Sequence, residues 1–195
     1  MRIRTRDWFL LFSLAFLAAN PGRAELTSDY FTAIASEPAP VAGQQYYTRY
    51  CFMYEKGESP TTNYWRGTLV PINSPVTLVA LGAKNLVLRL EGGENVKIEN
   101  IEKFTKRDMA TIARELLGAQ PVPLEKFDEA MQRAIKSGTL KLGMTKEQVV
   151  MARGYPPRHK TPSLDGDTWV YWSSRFVVHT IVFENGVLAR GRDIN

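Results

Sequence analysis

The stretch Leu142 to Pro157, LGMTKEQVVMARGYPP, specifies one short helix from cap to stop and constrains everything around it. Thr145 is an N-cap, and Gln148 stands three residues on, where its amide reaches back to the cap backbone as a capping box. Met144 and Val149 flank the cap as a hydrophobic staple. Gly154 takes the left-handed turn that ends a helix, and Pro156 and Pro157 prevent its resumption.

The flanking sequence extends this into an α+β module. Leu124, Phe127, Met131 and Ile135 place one apolar face on a helix from about Leu124 to Lys136, stopped by Gly138. After the capped helix, Asp165-Gly166-Asp167 reads as a turn; a calcium loop needs more oxygen ligands and a glutamate at fixed spacing, so no metal site is expected. Three strands follow, Thr168–Trp172, Phe176–Glu184 and Val187–Arg190, with Asn185-Gly186 as a two-residue hairpin between the last two. The order of motifs, a helix, GMTKEQV, a Gly-x-Pro, a WVYW strand and VFENGV, resembles the BamE (SmpA/OmlA) family of bacterial envelope proteins over about Leu124 to Asn195. The resemblance implies a non-enzymatic two-layer helix-helix-three-strand domain and, as partner, a complex that assembles outer-membrane β-barrels. Where the family pattern reads Leu-Gly-x-Pro, this chain has Arg153-Gly154-Tyr155-Pro156, and it has no lipoprotein cysteine near its start.

The N-terminus reads as a signal peptide over residues 1–24. Arg2, Arg4 and Arg6 precede an apolar run from Trp8 to Ala19, and Gly22-Arg23-Ala24 supplies small residues at the positions a signal peptidase reads. Trp8 to Ala19 would rise only about 18 Å as a helix against a hydrocarbon core of roughly 30 Å, so no stable membrane span is expected after cleavage. An uncleaved anchor is the alternative. Cleavage removes four arginines and one aspartate, so the formal charge falls from +5 to +2. That near-neutral balance argues against a nucleic-acid partner, which requires clustered Lys and Arg on one face.

Residues 25–43, rich in Ala, Ser and Pro, read as a flexible tether, with Tyr30, Phe31 and Ile34 at the spacing of a short docking helix. Residues 44–118 read as a small β barrel or sheet domain with a following helix. Tyr46–Tyr54, Tyr64–Val70, Val76–Leu81, Leu86–Leu90 and Val96–Ile98 are its strands, in an order faintly similar to a bacterial SH3-like barrel. Pro71 and Pro75 cannot donate to a ladder and place their turn at an edge. Thr105 is the expected N-cap of the following helix, with Asp108 at the box position, Met109, Ile112, Ala113, Leu116 and Leu117 on its buried face, and Gly118 as its end. The two prolines of residues 119–123 mark the boundary to the second domain, residues 119–195.

Chemistry-bearing residues are sparse. Cys51 is the only cysteine, so no intramolecular disulfide forms, and among aromatics it reads as a buried thiol. His159 and His179 are the only histidines, and neither has a spacing that pairs it with Cys51 or a carboxylate. Glu91, Glu94, Glu99 and Glu102 could supply an acid and base pair for glycan hydrolysis, the envelope-hydrolase alternative, and clustered surface charge explains them more simply. No nucleophile elbow, metal-ligand spacing or phosphate loop is visible, so an enzyme and a cofactor are not expected.

Two binding surfaces are expected instead. Trp169 and Tyr171 alternate with Val170 and Trp172, so the sheet has large side chains on both faces, and one face is either covered by the N-terminal domain or exposed to a partner. Trp169, Tyr171, Trp172 and Phe176 are the protein-binding candidates. Tyr64 and Trp65 are candidates for stacking on envelope glycan or lipid headgroups, if exposed. The reading is an exported, non-lipidated periplasmic or envelope-facing scaffold or adaptor.

Overall fold

The computed structural model describes residues 22–62, 64–192 and 194, and the leader read over residues 1–24 lies outside them as far as residue 21. The protein is mixed α+β. Among the described residues, no helix is long and apolar enough to cross a membrane. Two apolar clusters organise the chain, one inside the N-terminal β lobe and one inside the C-terminal lobe.

The β lobe contains β1 (Gln45–Thr48), β2 (Phe52–Tyr54), β3 (Glu58–Pro60), β4 (Thr68–Val70), β5 (Pro75–Leu81), β6 (Asn85–Leu90), β7 (Asn95–Glu99), α2 (Glu102–Thr105), α3 (Met109–Leu116) and β8 (Leu117–Gly118). Six strands form one sheet in the order β3-β7-β6-β5-β1-β8, and β2 pairs with β4 as a separate ladder. Alternation sends Val76, Leu78, Leu86, Leu88, Val96 and Ile98 to one face, against Phe52 and Val70 of the small ladder and Met109, Ile112, Ala113 and Leu116 of α3.

Several local expectations change here. The aromatic run Tyr46–Tyr54 is two strands rather than one. Its middle leaves the sheet because Arg49 N–H donates to the Leu116 carbonyl and Cys51 N–H to the Met151 carbonyl, at 2.8 and 3.0 Å. Thr105 closes the short α2, Lys106 turns left-handed, and Asp108 becomes the cap of α3 by accepting from Thr111 N–H at 2.7 Å. Gly118 pairs with Tyr47 in β8 instead of ending a helix. Pro75 opens β5, where no ladder donor is required, although β5 lies inside the sheet.

The C-terminal lobe runs through α4 (Glu129–Lys136), α5 (Lys146–Arg153), β9 (Thr168–Ser174), β10 (Val177–Glu184) and β11 (Val187–Gly191). α4 starts later than the periodicity predicts, capped by Asp128, which accepts from Met131 N–H at 2.8 Å. The capping box of α5 is formed as read: Gln148 N–H donates to Thr145 Oγ1 at 3.3 Å, and Thr145 N–H to Gln148 Oε1 at 2.8 Å. Asn185 and Gly186 both have positive φ, the geometry a two-residue hairpin requires. The sheet order is β11-β10-β9, antiparallel throughout. Trp169, Tyr171, Ile181, Phe183 and Leu188 pack with Ile135, Val149, Val150 and Met151 of the helices.

The two lobes close on each other rather than hanging on a linker. Most of α1 (Gly22–Ser36) falls in the stretch read as a tether over residues 25–43, and this helix buries Ile34 and packs against both α3 and α5. Val122, in the presumed boundary loop, exchanges two hydrogen bonds with the Asn73 side chain at 2.7 and 2.8 Å. Gly138 shows how tight the seam is. Its φ is +67°, and a Cβ there would lie 2.2 Å from Trp65 Cζ2 of the other lobe. Gly138→Ala is expected to lower stability by about 1–3 kcal/mol through overpacking at a left-handed position. Urea unfolding of the variant against wild type measures this.

Candidate functional site

The alternation of β9 sends Trp169 and Tyr171 inward. Trp169 is fully buried, its Nε1 donating to the Gly166 carbonyl at 3.0 Å, and the Tyr171 hydroxyl donates to the Gly154 carbonyl at 2.8 Å. Both are core residues and are withdrawn as contact residues, because the helical layer takes this face. Trp172, on the other face, is half-buried, and the β lobe covers part of it: Tyr64 bridges to Trp172, and Trp65 N–H donates to its carbonyl at 3.2 Å. Trp65 is half-buried as well. The Arg153 guanidinium lies 4.2 Å from its ring centre and Gly138 backs its six-membered ring, so this indole is spent on the seam.

Phe176 is different. It sits at the tip of the β9–β10 hairpin with 86% of its surface exposed, beside Val177 and Val178, each 41% exposed. The tip exists because Ser174 pairs with Val177, which leaves Arg175 and Phe176 as the turn, and the register shifts between Val177 and Val178. The same hairpin register produces a contact the sequence spacing concealed. Ser173 Oγ and His179 Nε2 are hydrogen-bonded across the two strands, six residues apart but adjacent over the turn. This couples a hydroxyl to an imidazole beside Arg153 and Trp65.

The lobe seam carries a second group of polar chemistry. Arg107 and Glu115, with 6% and 12% side-chain exposure, form an ion pair at 2.7 Å. They border a cavity of about 50 Å³ together with Tyr50, Thr105 and Tyr155. The Arg107 guanidinium also lies 4.8 Å from the Tyr155 ring centre, and Tyr155 makes edge contacts with Tyr50 and Phe31. Burial raises the Glu115 carboxyl above its usual range, with Arg107 opposing. Burial likewise raises the Tyr50 and Tyr155 phenols. A cavity this small holds one or two water molecules, so the group braces the seam.

Further out along the seam is a larger cleft of about 380 Å³, between Tyr64, Phe104 of α2, and Trp172 of β9. The His159 ring stands between Phe104 and Trp172, with centres 4.7 and 5.9 Å away, and the His159 backbone N–H donates to the Phe104 carbonyl at 3.0 Å. Burial and the Lys160 charge hold His159 below the usual imidazole range. Of the grouped carboxylates, Glu94 accepts from the Tyr54 hydroxyl at 2.6 Å, which raises that phenol. No cluster of three metal-ligating side chains occurs among the described residues.

Comparison with protein families, characterised proteins and solved structures finds no match to this chain.

The buried ion pair has a pH signature. Arg107→Met leaves Glu115 buried without its cation and is expected to cost about 3–5 kcal/mol at pH 8. Without Arg107 the folded-state carboxyl rises further above its unfolded value, so the folded state takes up a proton that the unfolded chain does not. The deficit is therefore smaller below the unfolded carboxyl range and grows as pH rises through the folded one. Urea unfolding at pH 5 and pH 8 should show this trend, and Arg107→Met/Glu115→Gln should lack it.

Proposed function

We propose that this protein is an exported, non-catalytic adaptor of the bacterial envelope that holds a partner protein through the tip of its β9–β10 hairpin. The observation that carries the reading is the run Phe176, Val177 and Val178, large apolar side chains adjacent to one another and open to solvent. An aromatic anchor with few rotors beside an arginine is the composition that interface hot spots favour.

The edges of the C-terminal sheet support the same choice. Strand addition is the common alternative for binding through a sheet, and it needs an open edge. On the β9 side, Trp65 N–H uses the Trp172 carbonyl, and Val170 N–H donates to Thr161 Oγ1 at 3.0 Å. On the β11 side, Leu188 N–H donates to the Met144 carbonyl at 2.7 Å, and Gly143 N–H to the Leu188 carbonyl at 2.8 Å. With both edges engaged, the hairpin tip is the part of the sheet that presents apolar surface outward.

The finer assignment belongs to the same proposal. Residues 119–195 are read as a BamE-like module, residues 1–24 as a cleaved leader, and the partner as a component of an outer-membrane assembly complex. The support is the motif order from Leu124 onward and the basic, apolar start of the chain.

A photo-crosslinking residue at position 176, in the full chain expressed in its native envelope, tests this. A discrete adduct with an outer-membrane assembly component is expected, absent in a Val178→Asp background whose urea midpoint is unchanged. A probe at Leu142, 54% exposed on another surface, serves as the comparison. Equal labelling at 142 and 176, or adducts untouched by Val178→Asp, would contradict the reading.

A further inference from the structure

The cleft between the lobes has no task in the adaptor reading, and its composition is selective. At about 380 Å³ it falls in the size range of small-ligand pockets, roughly 300–1,000 Å³. Tyr64, Phe104 and Trp172 reach it from three separate segments and line it with aromatic side chains. Lys103 and Arg175 stand on it as well, and no carboxylate is among its lining residues, so the field inside is positive.

Its walls also hold hydrogen-bonding capacity that the fold does not use. Thr62 Oγ1, His159 Nδ1 and Trp172 Nε1 are buried, belong to side chains that line the cleft, and have no hydrogen-bond partner among the described residues. Thr62 is itself only 7% exposed. Buried polar atoms are nearly always paired, and three exceptions around one cleft mark a place where a small shift of the walls engages something polar. Their chemistry differs: an indole N–H only donates, a hydroxyl donates and accepts, and an imidazole nitrogen does either according to tautomer.

We propose that this cleft binds a sugar ring bearing an anionic group. Ring hydroxyls both donate and accept and so match the mixed set of Thr62, His159 and Trp172, which an aromatic acid offering only its carboxylate does not. The apolar face of a pyranose lies on the aromatic walls, as sugars do on Tyr and Trp. Lys103 and Arg175 take the anion by charge-assisted hydrogen bonds. Carboxylate and phosphate meet the same two cations, so the shared chemistry covers both an acidic polysaccharide and a phosphorylated lipid headgroup. The site is built at the seam and shares Arg175 with the hairpin turn, while its other walls lie away from Phe176.

Titration of the full chain with a glucuronate oligosaccharide, glucosamine 6-phosphate and maltose, followed by calorimetry and tryptophan fluorescence, tests the proposal. At least one of the two anionic sugars is expected to bind, with the fluorescence change that a ligand on Trp172 produces, and maltose about tenfold or more weaker. Preference for the uronate assigns the source to acidic polysaccharide, and preference for the phosphate assigns it to a phosphorylated headgroup. Lys103→Met and Arg175→Met alter exposed side chains, leave the fold intact, and should each weaken binding by about tenfold. Leu142→Ser, an exposed change away from the cleft lining, should leave the affinity unchanged. Failure of both anionic sugars to bind, affinity equal to that of maltose, or full affinity in Lys103→Met/Arg175→Met would overturn the proposal.

Discussion

The structure depends on how one small side chain crosses between two hydrophobic cores. Cys51 is the point at which the β lobe enters the C-terminal lobe, and it is fully buried. Its N–H donates to the Met151 carbonyl, its thiol donates to the Ile135 carbonyl at 3.1 Å, and its sulfur accepts from Ile72 N–H at 3.2 Å. One residue thereby satisfies backbone groups in α4, α5 and the β lobe. Burial pushes the thiol up to about 11, so it stays protonated and serves as a small hydrophobe with a weak donor. Serine would fit the volume and bring a hydroxyl that is more costly to bury, and alanine would leave the Ile72 donor without its acceptor.

Around that crossing the seam is assembled from matched pairs. Trp65 lies against Gly138 because no larger residue fits there, and Arg153 covers its ring. Arg107 and Glu115 neutralise each other under Tyr155, and α1 lies across α3 and α5 as a strap. The consequences reach the surface. Because Tyr64 and Trp65 are held against β9, the cleft between Phe104 and Trp172 has walls fixed by both lobes. Because the sheet edges are engaged at the same time, the apolar hairpin tip projects alone.

Local signals in the sequence translate into structure where the interactions they encode are local. The Thr145–Gln148 box, the Asn185-Gly186 hairpin and the apolar face of α3 each involve residues within a turn or two of each other. Features set by distant partners were not legible. Nothing near Arg49 or Cys51 announces that their N–H groups bond to carbonyls at positions 116 and 151, and so the break between β1 and β2 is invisible in the chain. Thr105 looks like a better cap than Asp108 until its hydroxyl is seen engaged with Asn100 Oδ1 at 2.8 Å. The WVYW strand is ambiguous for the same reason: alternation separates Trp169 and Tyr171 from Trp172, but only the packing of α4 and α5 decides which pair is core. The Ser173–His179 contact follows from the position of the hairpin turn, which Arg175 and Phe176 do not signal as strongly as Asn-Gly does.

The two lobes form one cooperative body joined at Cys51, and the cleft is a product of that union. Urea unfolding followed in each lobe by backbone amide signals tests this, with Val149 and Ile181 reporting the C-terminal lobe and Leu88 and Val96 the β lobe. Coincident transitions with a single midpoint are predicted, because the cores share their seam. Loss of the Val149 and Ile181 signals while the Leu88 and Val96 amides remain native would contradict it, and would make the lobes independent domains.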